Sequence, residues 1–283
     1  MRDKIILFIK GIVLGIAFII PGVSGGTLAV LLGIYEELIE AISNFYKSKN
    51  NFVKYFMYLL PIGLGALTSL VLCAKLIKFG LDKSPIITIL IFLGLIIGGV
   101  PKLFKSVDKK PELKDFSLML IGIIIVVLMM IIDKGSSSVS LSNLNALGYI
   151  ILFLVGMLAS ATMVVPGISG SFTLMLIGYY EPILNVVNEI SSFKNLSTNL
   201  LIMIPFLLGV VIGIVAIAKI IEYCLKKYRT STYYIIIGFV LASIISVFIS
   251  VFTYELNVVH LIIGITLMLI NTFLVYKVFD KID

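Results

Sequence analysis

Two runs of turn and hydroxyl residues stand 145 positions apart in this chain: Pro21-Gly22-Val23-Ser24-Gly25-Gly26-Thr27 and Pro166-Gly167-Ile168-Ser169-Gly170-Ser171-Phe172. Each interrupts a long apolar stretch. From Pro21 to Glu36 against Pro166 to Glu181, eight of sixteen positions are identical, including Gly33/Gly178, Tyr35/Tyr180 and Glu36/Glu181. Glycine lets backbone approach a ligand or adopt positive φ, and proline leaves the end of a preceding helix unpaired. The segment after each turn starts with free N–H groups, at Gly25, Gly26 and Thr27 or at Gly170, Ser171 and Phe172. Such a start carries partial positive charge and favours an anion. Ser24, Thr27, Ser169 and Ser171 add hydroxyl donors suited to phosphate or carboxylate oxygens. The competing reading makes each turn a helix kink with an N-cap and glycine packing. Two copies at matching places favour the anion site.

Lys75 and Lys219 are each 14 residues beyond a proline, Pro61 and Pro205, and so occupy matching positions. They are candidate cations for the same anion, or lysines snorkelling to a membrane surface. Glu36 and Glu181 end the short apolar runs and are candidates for proton or ion coupling. Tyr35 and Tyr180 read as members of aromatic belts. The phosphate-binding candidates are thus Pro21, Gly22, Ser24, Gly25, Gly26, Thr27, Pro166, Gly167, Ser169, Gly170, Ser171, Lys75 and Lys219. No catalytic residue, metal centre or cofactor is expected. Cys73 and Cys224 lack ligand spacing and read as unbonded thiols.

The elements that must position these residues are helices in a membrane. Hydrophobic residues make up 60% of the chain and charged ones 13%, with a mean hydropathy of +1.18. A chain of this composition is polytopic. Apolar runs fall at 5–20, 27–42, 55–79, 85–101 and 116–132, then at 147–165, 172–187, 199–221, 233–252 and 258–278. In the second run of each set the unbroken apolar part covers only nine residues, Thr27–Tyr35 and Phe172–Tyr180. At ~1.5 Å per residue that reaches about half way across the hydrocarbon core. Each half is therefore expected to hold a re-entrant helical hairpin, tipped by its PG-x-SG turn, and three transmembrane helices. Ten full spans are the alternative.

Either version gives the same sidedness. With the N-terminus inside, 17 of 22 basic residues face the cytoplasm, and only Lys75, Lys78, Lys83, Lys134 and Lys194 lie outside. The positive-inside rule thus predicts both termini in the cytoplasm of a multi-pass cell-membrane protein. Each half then crosses an odd number of times, making residues 1–140 and 141–283 inverted repeats. The net charge of +7 belongs to the loops and to anionic lipid rather than to nucleic acid.

The runs GIVLGIAFIIPGVSGGTLAVLLGIYE (Gly11–Glu36) and GMLASATMVVPGISGSFTLMLIGYYE (Gly156–Glu181) resemble the two signature segments of the polyprenyl-phosphate transporter family. Length, segment number and duplication are similar over essentially the whole chain. The resemblance implies a flippase that returns undecaprenyl phosphate to the inner leaflet, where it is reused for peptidoglycan and other envelope polymers. A polyprenyl tail is far too long for this chain to enclose. The tail is expected to stay in the bilayer while the head group crosses between the halves. Two other readings compete with it. A transporter of a small soluble anion fits the repeats equally. The membrane undecaprenyl-diphosphate phosphatases use a PG-x-S-R-type turn, but here glycine follows the serine at Gly25 and Gly170, and the arginines, Arg2 and Arg229, are peripheral.

Overall fold

The computed structural model describes residues 2–20, 23–107, 110–132, 139–141 and 144–282, and among these the regular structure is entirely helical. The chain runs α1 (Arg2–Ile19), α2 (Gly25–Leu31), α3 (Tyr35–Asn44), α4 (Lys49–Leu72), α5 (Ala74–Lys83), α6 (Pro85–Lys105) and α7 (Leu113–Ile131). It continues as α8 (Ala146–Val164), α9 (Gly170–Leu176), α10 (Tyr180–Ser191), α11 (Leu196–Lys227), α12 (Arg229–Ser250) and α13 (Val258–Ile282). Among the described residues, seven helices are long and apolar enough to cross a membrane: α4, α6 and α7, then α8, α11, α12 and α13.

The second run of each set is cut in two. Gly33 and Gly178 adopt φ of +65° and +75°, conformations that favour glycine, and end α2 and α9 after seven residues each. Neither these helices nor α3 and α10, with 10 and 12 residues, can alone span the ~30 Å hydrocarbon core. The third run of the first half departs from expectation in another way, because it bends at Cys73 between α4 and α5 whereas α11 is continuous over 32 residues. The hydrogen-bond ladder persists through the bend, with Cys73 N–H donating to Ser69 and Ile77 N–H to Cys73. Both cysteines are free.

Close packing comes from small residues, since apolar burial gives helices no driving force inside lipid. A Cβ on Gly11 would lie 2.2 Å from the Ile62 carbonyl oxygen, and one on Gly65 2.1 Å from that of Phe8, so α1 and α4 meet backbone to backbone. Gly156 and Gly209 do the same for α8 and α11, at 2.2 Å from Phe206 O and 2.0 Å from Phe153 O. The remaining seams cross between the halves. α6 packs on α13 through Gly94 and Gly98, and α7 on α12 through Gly122 and Gly238. Asn271 and Thr272 donate to the carbonyls of Ile91 and Gly94, giving the α6–α13 seam polar fixings. The helices adjacent to the two signature turns are therefore held by a framework in which each half supplies partners to the other.

Candidate functional site

The two turns meet. Gly167 N–H donates to the Thr27 hydroxyl at 2.8 Å, and Thr27 itself is fully buried. Gly26 lies against the second turn so closely that a Cβ there would stand 2.9 Å from Val164 O and 3.1 Å from Pro166 Cα. Tyr35 OH donates to Val164 O at 3.3 Å from the other side. Gly167, at φ +82°, lets the second turn pass Phe239, whose carbonyl a Cβ would approach to 2.4 Å.

Beside this junction opens a cavity of about 710 Å³. Ser24, Gly25, Gly167, Ser169, Gly170 and Ser171 form part of its wall. Ser24 precedes α2 in the N-cap position with an extended backbone, yet its side chain caps nothing. Its Oγ is buried without a hydrogen-bond partner, and the residue is 5% exposed. Ser169 stands in the same place before α9, also without capping, and its hydroxyl lies 2.8 Å from that of Ser171. Ser246 and Ser250 of α12, Tyr180 and Tyr254 also line it. Uncapped first-turn amides and converging hydroxyls make a wall of neutral donors.

At the other end of α12 the halves are fastened. Tyr233 OH and the Arg229 guanidinium both contact Glu36, the arginine at 3.0 Å. Glu222 of α11 accepts from Ser43 and from Asn44 of α3, the latter at 2.8 Å, and pairs with Lys226. Ser43 is fully buried and Asn44 nearly so. α10 makes no comparable packing against α4 or α5, although α3 packs on both α4 and α11. The junction is thus closed on the α3 side and open on the side of Ser246.

Of the residues singled out from sequence, Pro21 and Gly22 lie outside the described residues. Ser24, Gly25, Gly167, Ser169, Gly170 and Ser171 come together on the cavity wall, while Gly26, Thr27 and Pro166 sit at the contact between the turns. Lys75 and Lys219 are exposed and outside the cavity lining, Lys219 with its Nζ 4.9 Å from the centre of the Tyr46 ring. Glu36 is engaged by Arg229 and Tyr233, and Glu181 is exposed. Tyr35 is not a belt residue, and Tyr180 has a cavity on one side. Tyr35 is buried against the second turn, because its hydroxyl finds a carbonyl there. Sequence reasoning missed Ser246, Ser250, Ser43, Asn44 and Glu222. Only the odd polar residue in an apolar helix could have marked them.

No solved structure matches this chain significantly. A protein of Staphylococcus aureus named polyprenyl-phosphate transporter is 33% identical over 251 residues, covering 87% of this chain and 86% of its own. A protein of the same name from Vibrio cholerae is 31% identical over 248 residues, covering 84% and 75%. The sequence pattern of the undecaprenyl phosphate translocase-like family matches residues 14–263, and the signature turns fall inside that match. With that extent of similarity, the chain belongs to the undecaprenyl phosphate translocase-like family.

Proposed function

We propose that this protein carries polyprenyl phosphate, undecaprenyl phosphate in particular, between the leaflets of the cytoplasmic membrane. The names of both relatives support a polyprenyl-phosphate substrate. The observation that carries the reading is the Ser24 hydroxyl. A buried polar atom without a partner costs about 1–3 kcal/mol, and this one belongs to a residue that lines the cavity at the uncapped first turn of α2. A phosphate oxygen would satisfy it, together with the Ser169–Ser171 pair and the amides of the two turns. The task is desolvation: neutral donors replace water around an anion that hydrocarbon would reject.

The order of helices in residues 1–140 recurs in 141–283, and the cross-seams α6–α13 and α7–α12 are exchanged partners. We read these as inverted repeats whose turns are the tips of re-entrant hairpins, with both termini in the cytoplasm. On that topology the cavity faces outward and the Glu222 fastening is cytoplasmic. Exchange of roles between the repeats then gives alternating access. Transport rather than hydrolysis is the chemistry that a wall of neutral donors serves.

The test is leaflet exchange in liposomes holding the purified protein. Polyprenyl phosphate should equilibrate at least tenfold faster than in protein-free vesicles, while phosphatidylcholine should not. Equal rates for both lipids, or no acceleration, would overturn the reading.

A further inference from the structure

Resting on that phosphate reading, we infer that the cavity also takes the first isoprenoid units of the lipid and selects the substrate by them. The head group cannot supply that selection. Phosphatidic acid presents the same phosphate monoester from the same bilayer, so hydroxyls and amides that fit one lipid fit the other.

The cavity is too large for a head group alone. On the scale of ~30 Å³ per water, a five-atom phosphate needs on the order of 100 Å³. The cavity holds about 710 Å³, and a five-carbon isoprene unit is of similar size to the phosphate. What fills the rest of the wall is distinctive. Four of the chain's 10 methionines, Met129, Met130, Met163 and Met175, are among the 23 residues that line it. An even spread would place about one there. Phe18 and Phe172 stand with them.

Methionine is unbranched, polarizable and adaptable, and its sulfur makes favourable contacts with π-systems. Such a wall moulds to a methyl-branched chain and meets its double bonds. The methionine and phenylalanine part of it has no hydrogen-bond donor, so an ester carbonyl of phosphatidic acid seated against that part would go uncompensated. Because the tail leaves lipid rather than water, simple apolar burial gives little, and the fit of the wall decides. Met163 and Met175 are 47% and 37% exposed, so other side chains do not fully cover these two lining residues.

The test is competition in nanodiscs containing equal mole fractions of undecaprenyl phosphate and phosphatidic acid, with protein-bound lipid read by native mass spectrometry. The wild-type protein should retain the polyprenyl lipid at least tenfold over phosphatidic acid. The variant M129A/M130A/M163A/M175A should reduce that preference to within about threefold, by losing polyprenyl phosphate and not by gaining phosphatidic acid. The milder pair M129L/M175L, which keeps volume and removes sulfur, should fall between, and its thermal unfolding checks that the fold is retained. An unselective wild-type protein, or full preference in the folded variants, overturns the inference while leaving phosphate binding intact. Failure of the wild-type protein to retain either lipid removes the phosphate reading and this inference together.

Discussion

The unpartnered serine separates a binding role from a structural one by the sign of its effects. In the empty protein Ser24→Ala removes a buried hydroxyl with no hydrogen bond, so the variant should be as stable as the parent or more stable, by up to about 1–3 kcal/mol. With lipid present the same change deletes a donor to a charged oxygen and should weaken binding roughly tenfold or more. Thermal unfolding with and without polyprenyl phosphate measures both. A loss of stability in the empty protein would make Ser24 a packing residue. Glycines beside it behave differently from one another. A Cβ on Gly25 meets the Phe18 ring, which can turn aside, whereas one on Gly170 meets Ala159 O at 2.6 Å. That the turns matter was readable from their duplication. That Thr27 would be spent on Gly167 N–H was not, since position 172 of the second copy is phenylalanine and the repeat gave no matching pair.

Helices α3 and α11 hold one side shut through contacts that the other side replaces with different chemistry. The position matching Glu222 is Lys78, and those matching Ser43 and Asn44 are Asn188 and Glu189. Hydrogen bonds from Asn199 and then Asn195 hold the Glu189 carboxyl below its usual pKa range, keeping it anionic. If the repeats exchange roles, α10 closes on α5 and brings Lys78 to Asn188 and Glu189. Cysteines at 78 and 189 should therefore cross-link poorly with Glu222 intact. Adding Glu222→Ala should raise their yield roughly tenfold or more, as loss of bonds to a charged group shifts the balance by about 1.5–3 kcal/mol. Equal yields in both backgrounds would dissociate the two contacts. None of this was visible beforehand, because Ser43 and Glu222 are 179 residues apart and local periodicity says nothing about such pairs. The break at Gly33 was half visible. Its repetition at Gly178 stands in the sequence, but the positive φ that splits the apolar run is a property of the folded backbone.

For the whole molecule, the legible part of the sequence was its succession of apolar runs. The three long helices expected in each half are present, α4, α6 and α7 against α11, α12 and α13, because a run of apolar residues in lipid has helix as its way to satisfy the backbone, but α8, expected as a hairpin arm, is also long and apolar enough to cross. The proposed sidedness has its own check. A cysteine placed in 47–54 should react with a membrane-impermeant reagent only from the cytoplasmic side, and one in 191–198 only from outside. Labelling of both from one side would mean that the halves are parallel. That α7 turns its methionines and α12 its serines to one cavity was illegible, as the cavity gathers side chains from helices more than a hundred residues apart.

The glycine seams bear on how the protein is made. α1 finds α4 within the first half, but the smooth faces of α6 and α7, with Gly94, Gly98 and Gly122, find their partners only in α13 and α12. A ribosome that has delivered the first 140 residues has therefore placed two helices in the bilayer whose closest neighbours do not yet exist. Until residues 229–282 follow, those faces are open to lipid or to the wrong helix. Assembly is thus a late event that waits on the final helices, and a lesion in α12 or α13 should be felt first as failed maturation of the amino-terminal half.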